Sequence, residues 1–201
     1  MARLVICVSA ILVLAVSARE PWAQQQPPAG HADHGDHAHA AQPMEPVTRA
    51  VAVMAPVGGS KVSGTVYFIS EDGKVRVQGT ISGLKPNAEH AFHVHQYGDL
   101  TDMQKGMSVG DHYNPTHEPH GDRTAQQRHV GDLGNIRTDA EGVAKIDLQD
   151  TEIQLEGPHS ILGRGLVVHA NPDQFVQPTG NAGDRIGLAV IGIAQPEKKT
   201  P

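Results

Sequence analysis

Residues 64–95 read GTVYFISEDGKVRVQGTISGLKPNAEHAFHVH, and the fold is decided there. Three short runs, Gly64–Ser70, Lys74–Ser82 and Ala91–His95, are rich in Val, Ile, Thr and aromatic residues. Such side chains suit a pleated, half-buried surface. The runs are parted by Glu71-Asp72-Gly73 and Gly83-Leu84-Lys85-Pro86-Asn87, whose Gly, Pro, Asp and Asn supply turn geometry. Working outward, Arg49–Ala55 lies upstream, beyond Pro56-Val57-Gly58-Gly59. Downstream come Asp132–Thr138, Gly142–Asp147, Leu166–His169 and Ile186–Ala194, with a hairpin signal at Asp139-Ala140-Glu141-Gly142. No long segment carries the 3.6-residue apolar period of a helix. Eight short strands at this spacing predict an all-β, antiparallel sandwich or barrel.

Two long stretches interrupt the rhythm, Gln96 to Gly131 and Asn171 to Arg185. Loops of that length in a compact domain are usually functional. The first of the strand histidines, His93, lies two residues before His95, so both side chains leave one face of the strand toward a common point. The long loop adds His112, His120 and His129, with Asp132 just after, and His169 closes Leu166–His169. Imidazole nitrogen suits copper and zinc, and a carboxylate completes a harder zinc position. Six histidines and one aspartate make seven donors, whereas two four-coordinate metals need eight. The count closes when one histidine bridges through both ring nitrogens, so the pattern predicts a binuclear centre.

The N-terminal part reads differently. Met1-Ala2-Arg3 is followed by apolar residues Leu4 to Val16 and a small-residue cleavage signal at Val16-Ser17-Ala18. That run is shorter than the roughly 18–20 residues of a membrane span, so residues 1–18 are expected to be a signal peptide rather than a stable membrane anchor. Cys7, the only cysteine, falls within it, leaving the mature chain without a disulfide or a reactive thiol. Residues 19–46 are a Gln-, Pro-, Ala- and His-rich linker with too little to bury for an ordered structure. Its His31, His34, His37 and His39 form a tract suited to auxiliary metal capture. The domain is expected over 47–196, with a short disordered tail at 197–201. The full chain has 16 basic against 22 acidic residues, and Arg3 leaves with the signal. Nucleic acid is therefore not an expected partner, and a small anionic substrate would need a local positive focus.

Several motifs resemble those of one family. Phe92–Asp99 (FHVHQYGD), Gly110–Pro115 (GDHYNP), Arg128–Asn135 (RHVGDLGN) and Gly163–His169 (GRGLVVH) resemble the copper,zinc superoxide dismutases, as do Gly180–Arg185 (GNAGDR) and Val190–Gln195 (VIGIAQ). The similarity spans Val51 to Gln195 in order. It implies an eight-stranded Greek-key β-barrel and conversion of superoxide to oxygen and hydrogen peroxide by copper cycling. It further implies that His93, His95 and His169 bind copper, that His112 bridges, and that His120, His129 and Asp132 complete the zinc site. Arg185 matches the cavity arginine that positions superoxide, His112 the proton carrier, and Asp173 a carboxylate that orients one copper and one zinc histidine. His117, His90 and His159 have no ligand role in this reading. A homodimer fits the resemblance, and the exported chain would be periplasmic or secreted.

The chain also departs from the family. The disulfide that normally clamps the metal loop is missing: Met103 to Met107 occupies its region, and Leu188 stands where the second cysteine would be. Apolar packing by Leu188 is expected to replace it, with zinc stiffening the loop. The segment from His169 to Arg185 is short, which leaves few charges at the mouth of the site. A copper-delivery protein on the same fold is the alternative function; it would predict a degraded catalytic set, yet His169 and Arg185 are both present.

Overall fold

The computed structural model describes residues 45–197. Residues 1–44, on which the expected signal peptide, most of the expected linker and His31, His34, His37 and His39 fall, lie outside the described residues. Eight strands form: β1 (Arg49–Pro56), β2 (Ser63–Glu71), β3 (Lys74–Ser82), β4 (Glu89–His95), β5 (Asp132–Arg137), β6 (Ala144–Asp150), β7 (Gly165–His169) and β8 (Arg185–Ile193). A single 3₁₀ turn, Met107–Val109, is the only helical element among the described residues. The strands hydrogen-bond in the order β5-β4-β7-β8-β1-β2-β3-β6, every pair antiparallel. The β3–β4 and β6–β7 connections cross, which makes the sheet a Greek key, and a bridge between Thr138 and Ala144 brings its two edge strands together. The expected all-β barrel is what the chain forms.

Strand ends shift by a few residues for local reasons. β6 begins at Ala144 rather than Gly142 because Gly142 sits in the hairpin turn, where the Asp139 side chain accepts hydrogen bonds from the backbone N–H of Glu141 and Val143. The strand then continues to Asp150, which pairs with Val75.

Strand alternation sorts the side chains into two layers. From β4 and β7, Phe92, Val94, Leu166 and Val168 point into the barrel, where they join Val66, Phe68, Val77, Ile81 and Ile191 in the main apolar core. The alternate residues His93, His95, Val167 and His169 face outward. They are nevertheless buried, because the 96–131 loop covers that face. Beneath the loop a second apolar cluster forms from Val57, Val109, Val167 and Leu188, with Leu100 and Met103 packed against it. Leu188 does stand in apolar packing at the position where the family cysteine would be. Metal-type donors and this small cluster share one cover.

Candidate metal centre

The loop is tied down onto β4 before it supplies any donor. Val94 N–H donates to Gly131 O at 2.9 Å, Tyr113 N–H to Val94 O at 2.8 Å, and Gly131 N–H to Tyr113 O at 2.8 Å. His112 itself forms an antiparallel bridge with His95. Only a residue without a Cβ can sit this close: a Cβ on Gly131 would lie 2.2 Å from Val94 O. The GD of the RHVGD motif is therefore a packing requirement as well as the route into β5.

Two groups of four buried donors result. The ring nitrogens of His93, His95, His112 and His169 lie within 4.8 Å of one another, as do the donor atoms of His112, His120, His129 and Asp132. His112 belongs to both. A third group, His93, His120 and Asp173, joins the two sides.

In the first group each ring has one nitrogen engaged and one bare. His93 Nε2 meets Asp173 Oδ2 at 2.7 Å, His95 Nδ1 meets Gly110 O at 2.9 Å, and His169 Nδ1 meets Gly183 O at 3.2 Å. Each of these nitrogens is the N–H donor, because a carbonyl or carboxylate oxygen can only accept. The opposite atoms, His93 Nδ1, His95 Nε2 and His169 Nε2, are buried without any hydrogen-bond partner. Leaving a buried acceptor unpaired is costly, and three converging bare lone pairs are the donor set of a soft or borderline cation. Copper fits these atoms.

In the second group three rings crowd one carboxylate. Asp132 Oδ1 lies 2.9 Å from His112 Nδ1 and 3.2 Å from His129 Nδ1. Asp132 Oδ2 lies 2.9 Å from His120 Nδ1, without hydrogen-bond geometry, and accepts from the backbone N–H of Gly121 and His129. Three nitrogens and one oxygen at this spacing suit tetrahedral zinc. With Nδ1 of His112 on this side, its Nε2 is left for the first group.

Asp173 ties the halves together by taking His93 Nε2 on Oδ2 and His120 Nε2 at 2.9 Å on Oδ1. Gly180 packs so tightly here that a Cβ would meet Asp173 Oδ1 at 1.9 Å and His120 Nε2 at 2.8 Å. The GNAGDR glycine is thus demanded by the carboxylate it covers.

Burial and charge set the protonation states. Burial lowers the pKa of His112 to about 4 against the pull of Asp132. Burial and the neighbouring His93 lower that of His169 to about 3. His95 is pushed well below the ordinary histidine value by burial and by His112, His169 and Arg185. All three rings are neutral near pH 7, as ligation requires. His120 goes the other way: burial opposes its charge, but the adjacent Asp132 carboxylate and the hydrogen bond to Asp173 outweigh that and raise it to about 9. Asp132 and Asp173 are both lowered despite desolvation, because the histidines bond to them.

A cavity of about 980 Å³ opens over His95, His112 and His169 and is not lined by His120, His129 or Asp132. Lys105, Asp111, Asp184 and Arg185 also line it. The Arg185 guanidinium donates to Gly106 O at 2.5 Å and Gly110 O at 2.7 Å, which pins it to the loop. Burial lowers its pKa, and Asp111 and Asp102 counter that effect.

Three further histidines stay outside these groups. His117 is exposed, at φ 58. His90 is buried and its Nδ1 donates to His169 O at 2.8 Å, so it props a donor strand. His159 Nδ1 donates to Glu152 O. The sequence reading missed Asn135 and Gln177, whose amides pair with the backbone of Asp173 and His120. Asn135 stood within a recognised motif; Gln177 carried no signal.

A Greek-key barrel with two four-donor groups that share a histidine, one of them open to a cavity, defines a binuclear transition-metal protein. The family model for copper/zinc superoxide dismutase matches residues 62–191, and the chain belongs to that family. It is 47% identical over 156 residues to a Cu-Zn superoxide dismutase of Paramecium bursaria Chlorella virus 1, covering 74% of this chain and 82% of that one. It is 43% identical over 155 residues to an extracellular Cu-Zn superoxide dismutase of Brugia pahangi, covering 72% and 76%. A crystal structure described as the clock protein EA4 superposes with a TM-score of 0.70 at 42% identity, covering 76% of this chain and 99% of that one.

Proposed function

We propose that His93, His95, His112 and His169 hold copper, that His112, His120, His129 and Asp132 hold zinc, and that this centre serves the family reaction. In that reaction two superoxide ions and two protons give oxygen and hydrogen peroxide. One observation carries the assignment: His112 belongs to both donor groups, while the three other histidines of the open group have bare, buried nitrogens. Copper, when bound, supplies the one-electron couple that oxidises one superoxide ion and reduces the next.

The chain's own residues do the rest. Asp173 orients His93 and His120 so that each presents Nδ1. His112, between the groups, takes up a proton at Nε2 and hands it toward the cavity, while its Nδ1 stays on the zinc side. Arg185, with Lys105, supplies the positive focus that a net acidic chain otherwise lacks. The test is magnetic. With Cu(II) in the first group and Co(II) in the second, a shared imidazolate couples the two spins and suppresses the Cu(II) resonance. His112→Ala should restore it; an uncoupled signal in the unaltered protein would overturn the bridge.

Export as a periplasmic or secreted protein is the reading of residues 1–18, and the extracellular naming of the Brugia relative supports it. No helix among the described residues is long and apolar enough to cross a membrane. A homodimer through the β1/β8 face is the assembly we favour. Val51 lies opposite Gly192 there, and Val53 and Val190 continue the same outward face beside Gly98. Val53 and Ile193 are each 66% exposed and Tyr97 is 59% exposed, an apolar patch that a second copy would cover.

A further inference from the structure

We propose that Gln177 is a positioning residue for His120, and that its amide governs how firmly the second donor group keeps its metal; this rests on His120 being a zinc ligand. The four donors of that group are not held equally. Asp132 opens β5, and His129 is tied to it through the bond from His129 N–H to Asp132 Oδ2. His112 is bridged to β4. His120 lies within the irregular stretch 114–131 and makes no backbone–backbone hydrogen bond among the described residues.

Gln177 supplies what a strand neighbour would. His120 N–H donates to Gln177 Oε1 at 3.0 Å, and Gln177 Nε2 donates to His120 O at 2.8 Å. One side-chain amide thus pairs both backbone groups of one residue, as a rung of a ladder does. The same loop controls the His120 ring. Asp173 holds Nε2, and the Phe175 ring lies nearly parallel to the imidazole at 22°, with centroids 6.4 Å apart. Asp173 is gripped in the same way by Asn135, which accepts from Asp173 N–H at 2.7 Å and donates to Asp173 O at 3.0 Å. A short loop therefore reaches His120 at three points within five residues: carboxylate and aromatic on the ring, amide on the backbone.

Both hydrogen bonds to the Gln177 amide must break before the His120 backbone can move away, so Gln177 acts on metal release more than on the cavity chemistry. Gln177 is itself exposed, and its replacement leaves both apolar cores intact. The test uses the full chain with Co(II) in the zinc position, whose visible bands report that site alone. Their decay is followed after excess EDTA is added. Removing a partner that orients a ligand typically weakens metal retention on the order of 10-fold or more, so Gln177→Ala should speed the decay by roughly that factor. Gln177→Asn, one methylene short, should match it. Gln177→Glu keeps the acceptor for His120 N–H but loses the donor to His120 O, and should fall between. The far-ultraviolet circular dichroism of the metal-free variants should match that of the unaltered chain. Decay of Gln177→Ala at the unaltered rate would overturn the proposal. Absence of tetrahedral Co(II) bands in the unaltered protein would instead sink the zinc assignment, and this inference with it.

Discussion

Leu188→Ala probes how a family loop normally clamped by a disulfide is held without one. Leu188 is fully buried among Val57, Val109 and Val167, with Leu100 and Met103 beside it. Val57, Val167 and Leu188 belong to the barrel or its margin; Leu100, Met103 and Val109 belong to the loop. The cluster is thus the apolar contact between the two. Truncating a buried Leu to Ala costs about 2–5 kcal/mol, more where the site cannot collapse. A small cluster under a loop can relax in part, which places the loss near 3 kcal/mol. For a domain of this size each kcal/mol moves Tm by about 2–4 °C, so calorimetry should show a fall of roughly 6–12 °C. Leu188→Met, nearly volume-conserving, should lose less than about 1.5 kcal/mol. Superoxide turnover should fall too, because Arg185 is anchored on the carbonyls of Gly106 and Gly110 in that loop. A drop below about 3 °C, or full stability with a disordered loop, would refute the idea that apolar packing replaces the disulfide.

Lys105→Ala removes one of two cationic side chains lining the cavity, Arg185 being the other. At a separation on the order of 10 Å in water one charge contributes about 0.4 kcal/mol, so stopped-flow kcat/KM should fall roughly twofold at low salt and converge with the unaltered protein at high salt. A salt dependence unchanged by the substitution would remove Lys105 from steering. In the metal-free protein, His112 and His169 are depressed to about 4 and 3, so the unfolded chain binds more protons between pH 3 and 6.5 and stability falls as pH drops through that window. His120 is raised to about 9, so its contribution is present below about pH 6.5 and is lost as pH rises through 9. Melting temperature should therefore peak near pH 6.5, and a flat profile from pH 4 to 9 would contradict the assigned burial. Val53→Glu should convert a dimer to a monomer by light scattering with turnover per copper retained; a monomeric parent would dismiss the proposed face.

Much of the barrel was legible because its signals are local. The alternation that puts His93 and His95 outward also puts Phe92 and Val94 inward, and either half of the pattern would have sufficed. The turn at Asp139–Gly142 was legible because Asp and Gly each have a specific job there. The donors were legible as residue types, since the one cysteine stands far upstream at Cys7 and histidines are abundant. Gln177 was not, because a side-chain amide that substitutes for a strand partner has no spacing rule and no distinctive composition. Phe175 against His120 was equally hidden: an exposed aromatic in an irregular loop reads as solvent-facing until the fold brings that histidine beside it. The apolar cluster around Leu188 lay between these extremes. Its replacement of a thiol could be read from position, but its partners Val57, Val167 and the loop residues Leu100, Met103 and Val109 come from three separate segments.

The most direct test of the central claim is the decay of superoxide followed spectroscopically in the presence of the chain loaded with one equivalent each of copper and zinc. The account predicts fast decay that depends on copper and is lost when His169 or His95 is replaced by Ala. No decay at full metal occupancy would contradict it, and would leave a metal-binding barrel whose cavity serves copper handling rather than turnover.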